Sequence, residues 1–149
     1  MLYVEQTLAE EVLPKLREQV DERHFREAVE EHIVHTREHV ANVQTVFVVL
    51  EAKVEVGKSP PLDGLTRQHE ELAHRIAGSE VRDLFHASSA AHTEHLEISA
   101  YHSLITLAAL LGEPRAVQLL EHNLRQEEDV LEKVEKVIPE RLTTRLVNR

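Results

Sequence analysis

The chain contains no cysteine. That excludes disulfide frameworks and every thiolate metal centre, from zinc fingers to iron–sulfur clusters. Tryptophan is also absent and aromatics reach only 3%. The core must therefore be aliphatic, which suits packed helices. Four glycines and five prolines in 149 residues are too few for the many turns of a β fold. No stretch approaches the ~20 apolar residues of a membrane span. The first six residues, Met-Leu-Tyr-Val-Glu-Gln, lack the basic and apolar regions of a signal peptide. The expectation is a cytoplasmic protein with no membrane partner. Basic residues are in the minority, 17 against 27 acidic, for a net charge of −10. A nucleic-acid partner needs the opposite balance.

What is abundant is histidine, with eleven in the chain. Carboxylates and imidazoles in excess, without thiols, are the ligand set for iron, manganese or zinc. Hydrophobic residues at 42% and charged residues at 30% fit a globular chain, and the length fits one domain over residues 1–149.

The pattern predicts an all-α chain of five helices. The first covers about Leu2 to Val20, with Pro14 marking an irregularity inside it. Asp21 is the expected cap of the second, which runs to about Glu55. Gly57-Lys-Ser-Pro-Pro61 breaks the chain. A short polar helix over Leu62 to Ala77 follows, inside a crossover of about 56–79. Ser79 is the expected cap of a fourth helix, Glu80 to Leu111. Gly112 stops it, and Pro114 opens a fifth that ends near Pro139. A basic tail, about 140–149, is expected to fray. Four long helices with two tight turns and one long crossover give a ferritin-like antiparallel four-helix bundle.

Residues three, four and seven apart share a helix face. In the first helix Leu2, Ala9, Val12 and Leu16 share a stripe with Glu5. In the second, Phe25, Val29, Val43, Val46 and Leu50 continue through His32, His35, Thr36 and His39. In the fourth, Ala87, Ala91, Ile98, Ile105 and Ala108 include Glu94, while the adjoining Ala90, Tyr101 and Leu104 include Glu97. In the fifth, Leu120, Leu124, Leu131 and Val134 select Glu127 over Glu128.

An isolated buried carboxylate costs several kcal/mol, and four together repel one another. Two divalent cations would cancel about four charges, and imidazoles would complete their shells. Glu94 and Glu97 lie about 60° apart around their helix, so both can reach one centre. His35 is the favoured imidazole, with His32 next and His39 behind them. Tyr101 reads as a hydrogen-bond donor behind the ligands. Each residue also has an ordinary alternative: Glu5 as a solvated first-turn residue, the histidines as hydrogen-bonded core. Glu71-x-x-His74 has a dimetal spacing but sits on the polar crossover helix with no carboxylates in phase. His92-x-x-His95 shares a face that points off the main stripe. His24, His69, His86, His102 and His122 read as surface or interhelical. A hemerythrin-like site lacks its His-x-x-x-Glu partner.

Several stretches resemble the YciF/YciE-type ferritin-like family over nearly the whole chain. They are Leu2-Tyr-Val-Glu-Gln6, Leu13-Pro-Lys15, Glu30-Glu-His-Ile-Val-His-Thr-Arg37, Val46-Phe47, Glu94-His-Leu-Glu-Ile-Ser-Ala-Tyr101 and Leu124-Arg-Gln-Glu-Glu128. The Glu-His-x-Glu-Ile-x-x-Tyr stretch is the most specific. The resemblance implies a dimetal bundle related to rubrerythrins and manganese catalases, a homodimer, and a link to stress responses. It places ligands on Glu5, His32, Glu94, Glu97 and Glu127. This chain departs from the family at His35, where Glu is usual, and at Leu131, where an acidic residue is usual. Fewer carboxylates and more imidazole favour zinc and ferrous iron.

Two classes of function follow. One is an oxidoreductase-like protein holding two divalent ions, iron or manganese, that removes peroxide or oxidises ferrous iron with oxygen. The other is a non-catalytic helical dimer or interaction module with structural zinc or no metal.

Overall fold

The computed structural model describes residues 1–147 and is helical throughout its ordered elements. Helix α1 runs as Leu2–Thr7, a π-helical turn Leu8–Val12, and Leu13–Gln19. Helix α2 is Arg23–Val49, α3 is Pro60–Ala73, and α4 is Ser79–Leu110. Helix α5 runs as Pro114–Glu132, a second π turn Lys133–Val137, and Ile138–Val147. Among the described residues, no helix is long and apolar enough to cross a membrane.

Both π turns sit immediately before a proline, and the reason is local. Pro14 and Pro139 offer no N–H, and their rings crowd the carbonyl four residues back. Widening the preceding turn relieves this. Leu13 N–H reaches back five residues to the Leu8 carbonyl, and Ile138 N–H reaches back five to Lys133. In α1 the extra residue shifts the buried stripe. Leu13 enters the core, and Val12, expected there, is only partly buried.

Interhelical contacts set the directions. His32 faces Glu94 and His39 faces Tyr101, so α2 and α4 run parallel. Glu31 pairs with Lys133 and Glu38 with His122, so α2 and α5 are antiparallel. Tyr101 meets Glu5 while Asp83 meets Asp21, so α1 and α4 are antiparallel. This is the antiparallel four-helix bundle with a long crossover between α2 and α4, and α3 lies within that crossover.

Some boundaries differ from expectation. Glu22, not Asp21, caps α2: its Oε2 accepts the Phe25 N–H at 2.7 Å. Asp21 and Glu22 instead give their own N–H groups to Asp83. α2 ends at Val49, short of Glu55, and α3 ends at Ala73, short of Ala77. Gly78 (φ 89°) rather than Ser79 precedes α4, and Ser79 is already helical. Gly112 (φ 73°) closes α4 in a Schellman turn, with Glu113 N–H on the Ala108 carbonyl and Gly112 N–H on that of Ala109. The tail expected to fray continues as helix to Val147, because Leu142 is fully buried there. Its last two residues, Asn148 and Arg149, lie outside the described residues.

The core is in two apolar clusters. One gathers Leu8, Leu16, Phe25, Val29, Ala87 and Leu142 near one end of the bundle. The other gathers Leu2, Val43, Tyr101, Ala116 and Leu120 near the other end. Between them lies a buried polar layer.

Candidate metal centre

That layer holds six ionisable side chains from all four long helices. His32, Glu94, Glu97 and Glu127 form one group whose ligand atoms all lie within 4.8 Å of each other. Glu5, His39 and Glu127 form a second group within the same limit. Glu127 belongs to both. None of the six side chains' residues is more than 3% exposed.

His32 presents Nε2 at 3.4 Å from Glu94 Oε1 and 3.8 Å from Glu127 Oε2. His39 presents Nδ1 at 2.8 Å from Glu127 Oε1 and 3.5 Å from Glu5 Oε2. The 2.8 Å contact is close enough for charge attraction but misaligned for a hydrogen bond. The other ring nitrogen of His39, Nε2, lies 2.7 Å from the Gln126 side-chain oxygen. A hydrogen on Nε2 satisfies that oxygen and turns Nδ1 toward the carboxylates, where it becomes a donor to a cation once it gives up its own hydrogen. Metal-binding histidines are held the same way, by a partner on the far nitrogen.

The surrounding groups fix the rest. Tyr101 donates its phenol hydrogen to Glu5 Oε1. Asn123 donates to the Tyr101 oxygen at 3.0 Å and accepts from Asn42 at 2.7 Å. Tyr101 and Asn123 are both fully buried.

The electrostatics are strained in the absence of a cation. Burial, then the neighbouring Glu127, Glu5 and Glu94, push the Glu97 carboxyl well above its usual range. Burial lifts Glu94 to about 7. Burial also raises Glu5 and Glu127. Burial opposes the charged form of His39, but contacts with Glu127 and Glu5 outweigh it and raise its pKa to about 10. Burial lowers His32 and keeps it neutral.

Orphaned atoms test whether metal fits. Both oxygens of Glu97, Glu5 Oε2, Glu94 Oε2 and both ring nitrogens of His32 are buried without a hydrogen-bond partner among the described residues. Native interiors seldom leave so many polar atoms unpaired in one place. Oxygen and imidazole donors, with four carboxylates facing each other, fit a pair of divalent cations.

The arrangement gathers Glu5, His32, His39, Glu94, Glu97 and Glu127, and sets Tyr101 behind Glu5. His35 lies outside both groups. The buried positions of α2 are Phe25, Val29, His32, Ile33, Thr36, His39 and Val43, and His35 falls one residue, about 100°, behind Thr36. It is half-buried on the flank of the stripe. Asn123 and Gln126 were not singled out from the sequence, although Asn123 lies one turn before Glu127 on the same face.

The comparisons with known proteins agree with the fold. A family model described as "Domain of unknown function (DUF892)" matches residues 1–147. Protein YciF of Escherichia coli (strain K12) is 29% identical over 116 residues, which are 77% of this chain and 70% of that protein. The crystal structure of the E. coli stress protein YciF superposes with a TM-score of 0.86 at 26% identity, over 92% of this chain and 86% of that one. The structure of YcfI from Rhodopseudomonas palustris also gives 0.86, at 31% identity, over 91% of this chain and 85% of that one.

Proposed function

The chain belongs to the DUF892 family, and we propose that it is a dimetal-carboxylate protein with a role in peroxide removal or ferrous-iron oxidation during stress. One observation carries the reading: Glu127 joins two buried His/Glu groups in which both oxygens of Glu97 and Glu127, one of Glu5 and one of Glu94, both nitrogens of His32 and Nδ1 of His39 have no hydrogen-bond partner among the described residues. Glu5 and His39 would hold one cation, and His32, Glu94 and Glu97 the other, with Glu127 shared. When bound, adjacent iron or manganese ions supply one-electron chemistry to oxygen or a peroxide. The chain's own residues orient the centre. Gln126 sets the tautomer of His39, Tyr101 steadies Glu5, and Asn123 steadies Tyr101. The E. coli relative is described as a stress protein, which supports placing this chain in the same setting.

The test is metal content by mass spectrometry on protein purified without added metal. The parent should carry about two equivalents of iron or manganese per chain. A Glu97→Ala, Glu127→Ala double variant should carry almost none. No stoichiometric metal in the parent, even after anaerobic loading with ferrous iron, would sink the reading.

A second reading is a non-catalytic bundle with structural zinc or none. The contact of His39 with Glu127 and Glu5 favours it, because a protonated His39 partly neutralises the layer without metal. Redox-silent zinc, or a stable metal-free parent, would be its signature.

A further inference from the structure

Among the described residues, one cleft is lined by Glu94 and another by Glu97, and their charged groups differ. The larger, about 340 Å³, lies between α1, α3 and α4 and has Glu94 among its lining residues. Its walls carry the carboxylates Glu11, Asp63 and Glu70, and the imidazoles His69 and His86. The smaller, about 240 Å³, reaches Glu97. Its walls include Leu2, Val4, Phe47 and Leu96, and beside Glu97 it carries one carboxylate, Glu55, and one ammonium, Lys58.

The His69–His86 pair is unlike the other histidines outside the centre. His86 on α4 is fully buried. Its Nδ1 lies 2.7 Å from His69 Nε2 on α3. Its Nε2 is buried and has no partner among the described residues. Phe85 stacks on the His69 ring at 5.6 Å and 5°, which limits how that ring can turn. Two neutral imidazoles share one hydrogen across such a contact. When His86 supplies it, from Nδ1, its Nε2 is left with an unused lone pair. Burial, followed by the charges of His69 and Arg82, holds His86 at about 4, so the ring does not itself repel a cation.

His86 and Glu94 are eight residues apart on α4, about 12 Å along the axis. Ser89 and Thr93, which also line the cleft, stand between them. Oxygen and imidazole donors are therefore spaced along the wall from α3 down to the carboxylates. Lys15 pairs with Glu70 at 3.3 Å and Tyr3 donates to Asp63 at 2.9 Å; with Arg67 also in the lining, the carboxylates Glu11, Asp63, Glu70 and Glu94 still outnumber the cations.

We propose that this cleft is the route by which divalent cations reach the buried carboxylates, with His86, set by His69, as a ligand taken on the way. The proposal rests on the dimetal reading. It gives a purpose to a buried imidazole that the centre itself does not use.

The experiment follows cobalt(II) uptake by metal-free protein in a stopped-flow absorbance instrument, with final stoichiometry measured on the same samples. His86→Leu and the half-exposed His69→Gln should each slow uptake on the order of tenfold, the scale expected when a steering site is lost. Final stoichiometry should match the parent. His69→Gln keeps the test open if the buried His86 variant fails to fold. Lys58→Ala, beside the other cleft, should bind at the parent's rate. An unchanged rate in His69→Gln at full stoichiometry overturns the proposed route. So does faster uptake in Lys58→Ala, which would move the route to the smaller cleft. A parent that takes up no cobalt refutes the dimetal centre instead, so the two failures are distinguishable.

Discussion

Metal binding should expel protons, and the number can be worked from the polar layer. Two carboxylates about 4.5 Å apart repel by roughly 4 kcal/mol at an effective dielectric of 20, which is about three pKa units. Four of them within this space cannot all be ionised without a cation. Glu97 is accordingly held well above its usual range, Glu94 at about 7, and His39 at about 10. At pH 7 the metal-free layer thus carries a proton on His39 and part of one on Glu94, and the upward shift of Glu97 favours its protonated form. Two bound cations need every carboxylate ionised and both imidazoles neutral. Loading at pH 7 should release about two to three protons per chain. Isothermal titration calorimetry in buffers of differing ionisation enthalpy reads this number as the slope of observed against buffer enthalpy. The slope should fall as the pH is raised toward 10, where His39 loses its proton unaided. A slope near zero at pH 7 would refute the reasoning. It would mean that the layer is already deprotonated, or that metal binds on the surface.

The same groups make the metal-free bundle more stable in mild acid than in base. Their folded pKa values are raised, so the stability they add is present below the unfolded values and is lost as pH rises through the folded ones, from about 4.5 to 7 for Glu94 and from about 6.5 to 10 for His39. Thermal melts of chelator-treated protein should show Tm falling across that range, and added metal should reverse the slope. Tyr101→Phe strands Glu5 Oε1 and removes the acceptor of Asn123, so it should cost about 1–3 kcal/mol in urea unfolding. Leu142→Ala should cost about 2–5 kcal/mol, because Leu142 packs fully buried in the core; a loss under ~0.5 kcal/mol would mean that the tail is not docked.

The helices were legible in the sequence because their punctuation is chemical. Gly112 and Pro114 bracket a turn, and the Schellman closure follows from the positive φ that glycine takes without strain. Pro14 announced an irregularity but not its form. A proline inside a helix can kink it or widen the turn before it. Here widening also moves Leu13 into the core in place of Val12. The end of α5 differs from expectation for the opposite reason. Pro139, followed by a tail whose charges are mostly arginines, looks like a helix stop. Yet a π turn absorbs the proline, and Arg145 Nη2 reaches within 3.4 Å of the buried Glu22. That partner lies more than a hundred residues away in sequence, beyond the reach of any local pattern.

The buried carboxylates stood out because a charge on an apolar stripe is energetically anomalous. Phase alone separated Glu127 from Glu128, since one residue turns a helix by about 100°. The imidazoles were harder. His32, His35 and His39 all fall near the stripe of α2, and counting in threes and fours admits each of them. The structure puts Thr36 on the buried line, its hydroxyl tied to the His32 carbonyl at 2.8 Å, and leaves His35 on the flank. What distinguishes His39 is Gln126, a neutral amide on another helix that takes up Nε2 and turns Nδ1 inward. Burial can be argued from periodicity along one helix. The direction in which an imidazole offers its lone pair depends on the partner across the bundle, and that partner is set by how α2 and α5 pack.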